Sequence, residues 1–218
     1  MNQQPNLVLY HAAPSRSSAV VTLLKELDAP YDLRLINLAA GEQLSPEFKA
    51  INSMGKVPTL VHGEAVITEQ VAIFIYLADL FPAAGLAPGL APGLAPGLGD
   101  ADRGPYLRWM AFYGSCFEPA VIDRHQGHEP GRRGMSPYGD FDTMLAALRG
   151  QLAKGPYMLG ERFSALDVLW GAALNWMLKW KLVPEDPIFV AYVDRHNARP
   201  AVLWAHAQDQ AWAPQKAE

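Results

Sequence analysis

The sequence predicts an α/β domain followed by an all-α domain, and three observations support this division. Residues 7–80 alternate between short strand patterns and helical periodicity. Residues 85–99 consist of a repeated Gly-Leu-Ala-Pro unit, and the pattern from Asp100 onward is helical. We therefore expect three segments: an α/β domain over 1–82, a linker over 83–99 and an all-helical domain over 100–218.

The first segment predicts the element order βαβαββα. Strand patterns at 7–10 and 31–35 flank a helical period over 15–27, and this spacing predicts two parallel strands joined by a right-handed crossover. Ser45 and Pro46 open a short helix, as its N-cap and its first helical residue. The pattern continues with a strand from Pro58, a hairpin partner at 65–67 and a helix from Glu69 to about Leu80.

The third segment predicts helices packed around one apolar helix. Ser164 and Asp167 form a Ser-x-x-Asp capping box, with Phe163 as the apolar residue before the cap, at the start of the apolar run 168–178. We expect this run to be the buried core helix and its capping box to be a folding determinant. The other predicted helices are 106–121, 141–152, 188–197 and 201–210.

The repeat over 85–99 has too short a period for a solenoid unit and places proline at every fourth position through most of its length. Proline at this spacing forbids a regular helix, so we expect an exposed, partly extended and mobile linker. A repeat expansion in a tolerant surface loop is the simpler interpretation, and an interaction role is the alternative.

Composition argues against several classes of protein. The 218 residues carry a net charge of −4 and no basic cluster longer than Arg132-Arg133, so we expect no nucleic-acid partner. No apolar run reaches the length of a membrane-spanning helix, and the N-terminus lacks a signal-peptide pattern, so we expect no membrane role. The single cysteine, Cys116, excludes an internal disulfide and favours a reducing cytoplasmic location.

The functional signal lies at Val57-Pro58 and at Glu69-Gln70. A cis bond before Pro58 would leave the N–H and C=O of Val57 free to pair with an extended peptide. Glu69 and Gln70 stand at a helix start, where free N–H groups and the helix dipole favour a carboxylate. We therefore expect a ligand with an extended backbone, whose terminal carboxylate binds Gln70 and the helix N-terminus and whose ammonium binds Glu69.

These residues resemble the glutathione transferase superfamily, whose thioredoxin-like domain carries a cis-proline after a valine and an acidic-polar pair that opens the next helix. The pair here is Glu69-Gln70, where Glu-Ser or Asp-Ser is commoner. The resemblance extends over almost the whole chain. It implies a thioredoxin-like first domain, a bacterial cytosolic enzyme with a serine-type, theta-like site, and glutathione as co-substrate without a metal.

Glutathione reacts as its thiolate, so the protein must favour the anion. Lowering a thiol pKa of about 8.5 by about two units requires about 2.7 kcal/mol. One hydrogen bond to a charged acceptor supplies roughly 1.5–3 kcal/mol, and a helix N-terminus adds up to about 1 kcal/mol. A hydroxyl at the start of the first helix is therefore sufficient.

The candidates for this role are Ser15, Arg16 and Ser17, directly before the first helix. The resemblance places Ser15 where serine-type transferases carry their thiol-activating hydroxyl, and places Arg16 near the cysteine of the beta-like class. Ser17 is the next candidate, and Arg16 could hold the thiolate by charge. The alternative is that these serines only cap the helix. Tyr10 lies on a strand, and we expect it in the core.

The resemblance also implies Gln43 near the glycine carboxylate of glutathione. Lys56 is a second contact or else a solvated loop lysine. The electrophile would lie between the domains, lined by Tyr106, Met110 and Tyr113, which form an apolar wall or belong to ordinary packing.

Two other candidates carry less weight. His125 and His128 have helical spacing but no third metal ligand in view. Cys116, on an apolar helix, we expect to be a small buried hydrophobe.

The resemblance implies a glutathione transferase that conjugates the glutathione thiolate to small hydrophobic electrophiles by substitution or addition, in detoxification. We expect a homodimer, because dimers are usual in the family. The alternatives on the same fold are a glutathione-dependent isomerase or dehalogenase and a non-catalytic glutathione-binding scaffold.

Overall fold

The computed structural model of the chain describes residues 6–82 and 93–214. These residues form two compact units: the first contains 6–82 together with 199–214, and the second contains 93–198. The first unit is an α/β structure of thioredoxin-like type and the second is all-helical, so the predicted fold class is confirmed. Within the described ranges, no helix is long and apolar enough to cross a lipid bilayer.

Four strands form the sheet of the first unit: β1 (Leu7–His11), β2 (Asp32–Leu35), β3 (Thr59–His62) and β4 (Ala65–Ile67). Their order across the sheet is β2-β1-β3-β4. β1 and β2 are parallel, with Val8 opposite Asp32, whereas the other two pairings are antiparallel. The predicted parallel pair and the predicted hairpin are both present.

The described residues contain nine α-helices: α1 (Ser18–Glu26), α2 (Pro46–Ile51), α3 (Gln70–Leu80), α4 (Arg103–Phe112), α5 (Glu118–Gln126), α6 (Phe141–Leu152), α7 (Ala165–Lys179), α8 (Pro187–Asn197) and α9 (Pro200–Trp212). A 3₁₀ turn, Glu42–Leu44, precedes α2. A π-helical turn, Tyr113–Phe117, joins α4 to α5, so the single helix predicted over 106–121 is interrupted.

Alternation along β1 places Leu7, Leu9 and His11 on one face of the sheet, and all three are buried. Tyr10 faces the other way, and its ring meets the ring of Phe48 edge to face at 5.5 Å. Tyr10 therefore packs against Phe48, but it is half-buried and is not a core residue as expected. His11 is a polar residue in a row of core-facing leucines, and its partners belong to the site.

Helix α9 packs against α1 within the first unit. Arg199, at the N-cap of α9, donates two hydrogen bonds to the carboxylate of Glu26, at 2.6 and 2.8 Å. The ammonium of Lys25 lies over the ring of Trp204, 5.2 Å from its centroid. The prediction that 100–218 forms one helical domain is therefore corrected, because its last helix belongs to the α/β unit.

The core of the second unit is built around Trp170 of α7. Its ring lies 6.0 Å from that of Trp109, 5.5 Å from that of Tyr113 and 4.9 Å from that of Phe117. Its Nε1–H donates to the backbone carbonyl of Trp109 at 3.3 Å. Helix α7 is therefore the buried core helix that the sequence predicts.

Ser164 and Asp167 form the predicted capping box at the start of α7. Oδ2 of Asp167 accepts the Ser164 backbone N–H at 2.9 Å. Oδ1 accepts the Met158 backbone N–H at 2.7 Å and the Tyr192 hydroxyl at 2.9 Å. These hydrogen bonds favour the carboxylate, but burial outweighs them and raises the pKa of Asp167 to about 6.

The predicted linker is corrected over its C-terminal part. The carbonyl of Leu94 accepts the Ala165 backbone N–H at 2.8 Å, and Arg103 donates to the carbonyl of Pro96 at 3.1 Å. Leu94 is buried, so residues 93–96 are a packed part of the second unit because their carbonyls and apolar side chain find partners there. The rest of the predicted linker, over 83–92, lies outside the described residues.

The raised pKa of Asp167 predicts how the second unit responds to pH. The stabilisation from this group is complete below the ordinary pKa of 3.8 and is lost as the pH rises through about 6. This shift corresponds to about 3 kcal/mol. Between about pH 4 and about pH 7, we expect the free energy of unfolding of wild type to fall by up to about 3 kcal/mol relative to Asp167→Asn. Urea denaturation followed by the fluorescence of buried Trp109 and Trp170 measures it.

Asp140, the N-cap of α6, is the matched control. A hydrogen bond from the Thr143 backbone N–H lowers the pKa of Asp140, so its stabilisation is present above the ordinary value of 3.8 and is lost as the pH falls through the lowered one. The difference between wild type and Asp140→Asn should therefore stay constant between about pH 5 and about pH 7. An equally constant difference for Asp167→Asn would contradict the raised pKa.

Candidate functional site

A loop with a free peptide unit leads into β3. The bond between Val57 and Pro58 is cis, and β3 begins at Thr59. Val57 is half-buried, and its backbone N–H and C=O make no hydrogen bond to another residue of the described chain. An extended peptide beside Val57 could therefore form the main-chain hydrogen bonds that a neighbouring strand would form.

Two buried side chains hold this loop by its backbone. The carbonyl oxygen of Lys56 accepts hydrogen bonds from Asn52 Nδ2 and from Thr59 Oγ1, each at 2.9 Å. Asn52 and Thr59 are buried, whereas the side chain of Lys56 is exposed. The loop conformation is thus fixed from inside the protein, and the Lys56 ammonium is at the surface beside Val57.

Gly55 brings the same loop against the 3₁₀ turn that carries Gln43. Gly55 has a φ of +60°, and a Cβ there would lie 2.7 Å from the carbonyl oxygen of Gln43. This conformation and this close approach both require glycine. Gln43 is half-buried, and its Oε1 is buried without a hydrogen-bond partner among the described residues. Gln43 therefore lies next to the Val57 loop and has an amide oxygen that a ligand donor could satisfy.

The turn before α1 holds the three residues predicted to activate a thiol. Ser15 is half-buried, Arg16 is exposed and Ser17 is fully buried. Oγ of Ser15 accepts the Ser17 backbone N–H at 3.1 Å and lies 2.6 Å from Oγ of Ser17. The Ser15 hydroxyl therefore bonds within the turn, whereas no serine side chain caps α1 itself, so the helix-cap interpretation is not observed. Ser17 is fully buried, and this burial argues against direct contact between its hydroxyl and a ligand.

The start of α3 is joined to this turn. Gln70 Nε2 donates to the backbone carbonyl of Arg16 at 3.0 Å. Glu69, at the N-cap of α3, has a φ of +61° and a ψ of 113°, a combination that few residues other than glycine adopt. The Glu69 side chain is exposed and makes no capping bond, so a carboxylate lies at the start of α3 without capping it.

His11 and Asp209, which the sequence analysis did not select, lie behind the serine turn. His11 Nδ1 is 2.7 Å from Oγ of Ser17, and His11 Nε2 is 3.0 Å from Oδ1 of Asp209. The side chains of His11 and Ser17 are 0% exposed, and Asp209 is 7% exposed. The signal for His11 is the alternation Leu7-x-Leu9-x-His11, which continues one residue beyond the predicted strand end.

The three residues predicted to line the electrophile site are buried in the second unit. Tyr106 and Met110 are 0% exposed and Tyr113 is 3% exposed. The Tyr113 ring stacks on Phe117 at 6.1 Å, and its hydroxyl donates to Glu118 at 3.0 Å. This burial favours the packing interpretation, which the sequence left open as the alternative to an apolar wall.

The weaker candidates are placed in the second unit. His128 lies 3.5 Å from a carboxylate oxygen of Asp123, and no group of three or more metal-ligating side chains occurs in the described residues. Cys116 is half-buried, and its thiol donates to the carbonyl of Pro137 at 3.3 Å. The expectation of a buried, purely apolar Cys116 is therefore wrong, because the π-helical turn leaves its sulfur partly exposed beside a polar partner.

The fold and the site together define a class of protein: a thioredoxin-like domain with a cis-proline loop and a serine turn, combined with an all-helical domain. Family models agree with this class in both units. The glutathione S-transferase N-terminal domain matches residues 5–79, and the glutathione S-transferase C-terminal domain matches residues 138–198. The chain belongs to the glutathione S-transferase superfamily.

Solved structures extend this similarity to almost the full length of the chain. A glutathione transferase from Methylococcus capsulatus is 27% identical with a TM-score of 0.75, and the match covers 94% of this chain and 99% of that one. A sphingomonad glutathione S-transferase complexed with glutathione is 27% identical with a TM-score of 0.73, over 93% of this chain and 98% of that one.

Curated relatives match more closely over a shorter part. The chain is 49% identical over 70 residues to glutathione S-transferase T1 of Arabidopsis thaliana, which covers 32% of this chain and 28% of the relative. It is 46% identical over 65 residues to glutathione S-transferase theta-2 of Homo sapiens, which covers 30% of this chain and 26% of the relative. The chain thus spans less than a third of the length of these two relatives.

The contact between Gly55 and Gln43 predicts a difference between two glycine substitutions. Gly55 and Gly63 share a φ of +60°, but a Cβ at Gly63 meets nothing within 4 Å. Gly63→Ala should therefore cost only the backbone strain, about 1–2 kcal/mol of unfolding free energy. Gly55→Ala should cost at least about 1 kcal/mol more, because the Gln43 turn must move. If the two variants lose the same unfolding free energy in chemical denaturation, the contact with Gln43 does not require glycine at position 55.

Proposed function

We propose that this protein is a glutathione transferase that binds glutathione in its thioredoxin-like domain and transfers the thiolate to small hydrophobic electrophiles. The observation that carries the proposal is the unpaired backbone N–H and C=O of Val57, directly before cis-Pro58, in the same unit as the half-buried Ser15. The bond between Gln70 and Arg16 joins the helix-start site to the serine turn at 3.0 Å. A sphingomonad relative that is complexed with glutathione supports the choice of ligand.

Glutathione suits these groups because it is an extended peptide with a charged group at each end. Its backbone would pair with the N–H and C=O of Val57. Its γ-glutamyl carboxylate would bind Gln70 and the N-terminus of α3. Its ammonium would bind the exposed carboxylate of Glu69. Gln43 and Lys56 are proposed for the glycine end.

The Ser15 hydroxyl would stabilise the thiolate of bound glutathione. Ser15 is half-buried at the N-terminal side of α1, so a donated hydrogen bond and the positive end of the helix act on the same sulfur. A hydrogen bond to a charged acceptor contributes roughly 1.5–3 kcal/mol. This is comparable with the free energy required to lower the thiol pKa to near neutral pH. Arg16 is exposed one residue away and would add positive charge.

Removing the hydroxyl tests this role. Ser15→Ala should reduce kcat/KM for conjugation of an activated aryl chloride by about tenfold to hundredfold, which is the loss expected for one charged hydrogen bond. Binding of glutathione measured by calorimetry should remain, because Val57 and the start of α3 are unchanged. The control is Ser115→Ala, which removes an exposed hydroxyl from the second unit.

The outcomes separate the proposal from the alternatives. Retention on immobilised glutathione without turnover by wild type would favour a binding scaffold. Unchanged turnover in Ser15→Ala would overturn the role of Ser15. Turnover with halogenated or isomerisable substrates, and none with the aryl chloride, would favour a dehalogenase or an isomerase.

Assembly, location and role are part of the same proposal. We propose that the protein is a cytoplasmic homodimer, as is usual in the family, and that it detoxifies electrophiles. Light scattering after size exclusion should give about twice the 23.9 kDa mass of one chain. A mass equal to that of one chain would contradict the dimer and leave the catalytic proposal unaffected.

A further inference from the structure

A buried carboxylate is linked to the surface hydroxyl of Ser15 by a continuous line of polar groups. Asp209 Oδ1 lies 3.0 Å from His11 Nε2, and His11 Nδ1 lies 2.7 Å from Ser17 Oγ. Ser17 Oγ lies 2.6 Å from Ser15 Oγ. We call these four residues the hydroxyl–imidazole chain. Its inner members are buried, and its outer member is the residue proposed to hold the thiolate.

Two arrangements of protons satisfy every group in the hydroxyl–imidazole chain over its shortest contacts, because the other acceptor near Ser17 Oγ, the Ala12 backbone carbonyl, is 3.4 Å away. In both, His11 Nε2–H donates to Asp209, and Ser17 Oγ accepts the Ala12 backbone N–H at 3.2 Å. When His11 is an imidazolium, its Nδ1–H donates to Ser17, and Ser17 donates to Ser15. The Ser15 hydroxyl is then free to donate toward the surface.

The second arrangement holds when His11 is neutral. Ser17 then donates to His11 Nδ1, and Ser15 donates to Ser17. Ser15 has no proton left for a ligand and can only accept from it. The direction of the outer hydroxyl is therefore fixed by the protonation of a side chain that no ligand touches.

We propose that His11 and Asp209 are positioning residues that act through Ser17, so that the Ser15 hydroxyl accepts the proton of the glutathione thiol and then donates to the thiolate. This inference rests on the proposed function, because it assigns a proton acceptor to the same thiol. It adds two residues that contact neither glutathione nor the electrophile.

The proton transfer balances along the hydroxyl–imidazole chain. The S–H bond breaks and its proton passes to Ser15 Oγ, while the Ser15 proton passes to Ser17 Oγ and the Ser17 proton passes to His11 Nδ1. One proton leaves the thiol and one arrives on the imidazole. The thiolate then accepts from Ser15, and the imidazolium pairs with the Asp209 carboxylate, so each new charge has a hydrogen-bond partner.

Among the described residues, Asp209 is the charged group that contacts the His11 imidazole. From α9 the imidazole faces Asp209 and the ring of Trp212, whose centroid is 5.7 Å away. From the turn before α1 it faces the Ser17 hydroxyl. Its backbone carbonyl accepts the Ile36 N–H at 2.8 Å on the β2 side. Removing the Asp209 charge therefore acts directly on the cost of protonating His11.

The test measures the pKa of the glutathione thiol in the complex, from the ultraviolet absorbance of its thiolate as a function of pH. Ser17→Ala breaks the hydroxyl–imidazole chain, and Asp209→Asn removes the charge that stabilises the imidazolium. Each should raise the thiol pKa by about one unit or more, so the thiolate at a fixed lower pH falls by about tenfold. The acidic limb of kcat/KM should move with it.

A control and a second ligand separate this role from a structural one. Asp28→Asn removes an equal charge from an exposed residue of the same unit and should leave the thiol pKa unchanged. S-methylglutathione has no thiol proton, so its affinity should be the same in wild type and in both test variants. Lost affinity for S-methylglutathione with an unchanged thiol pKa would show that His11 and Asp209 serve packing alone.

The outcomes also distinguish the inference from the function on which it rests. Wild type that binds glutathione and turns over, with the same thiol pKa in Ser17→Ala and Asp209→Asn, would overturn the inference and keep the proposed function. Wild type that binds no glutathione would overturn both. The two substitutions interrupt the hydroxyl–imidazole chain at different places, so one variant that fails to fold leaves the other to give the result.

Discussion

The hydrogen bond between His11 and Asp209 is the interaction on which the site end of the first unit depends. Both groups are buried, and without His11 the Asp209 carboxylate would be a buried charge that has lost its imidazole partner. The bond exists because α9 packs on α1, and the Arg199–Glu26 pair anchors the start of α9. Helix α9 therefore stabilises the α/β unit to which it belongs, although it is the helix farthest in sequence from β1.

A second constraint is that the backbone proposed to face glutathione must remain unpaired while the loop that carries it is held in place. Asn52 and Thr59 satisfy the carbonyl of Lys56 and leave the next peptide unit, at Val57, exposed to an added strand. Glu69 is held at a φ of +61°, a conformation whose cost the rest of the fold must meet. Strain and free backbone thus occur together at the proposed glutathione site, where rigid surroundings lower the cost of binding.

Sequence periodicity is enough to predict most of the fold, and local motifs select the residues of the candidate site that lie in loops and at helix starts. The parallel strands, the hairpin and the box that caps α7 follow from local patterns, because each pattern reflects burial of one face. The sequence does not reveal His11, because its apolar strand pattern ends at Tyr10 whereas β1 extends to His11. Asp209 has no local signal, because its partner lies 198 residues away. The packing of residues 93–96 cannot be predicted from the sequence, because a Gly-Pro repeat does not indicate which groups will bond to its carbonyls.

Ser15 and Ser17 show why the sequence could not choose between two identical side chains. The turn before α1 directs one hydroxyl toward the surface and the other toward His11, so the two serines differ in burial and in partners. A helix cap would need only one of them. The buried imidazole of His11 explains the second hydroxyl, that of Ser17. A hydroxyl can accept and donate a hydrogen bond at once, so Ser17 can connect the buried imidazole to Ser15. The same two residues that look redundant in the sequence are thus consecutive steps in one line of hydrogen bonds.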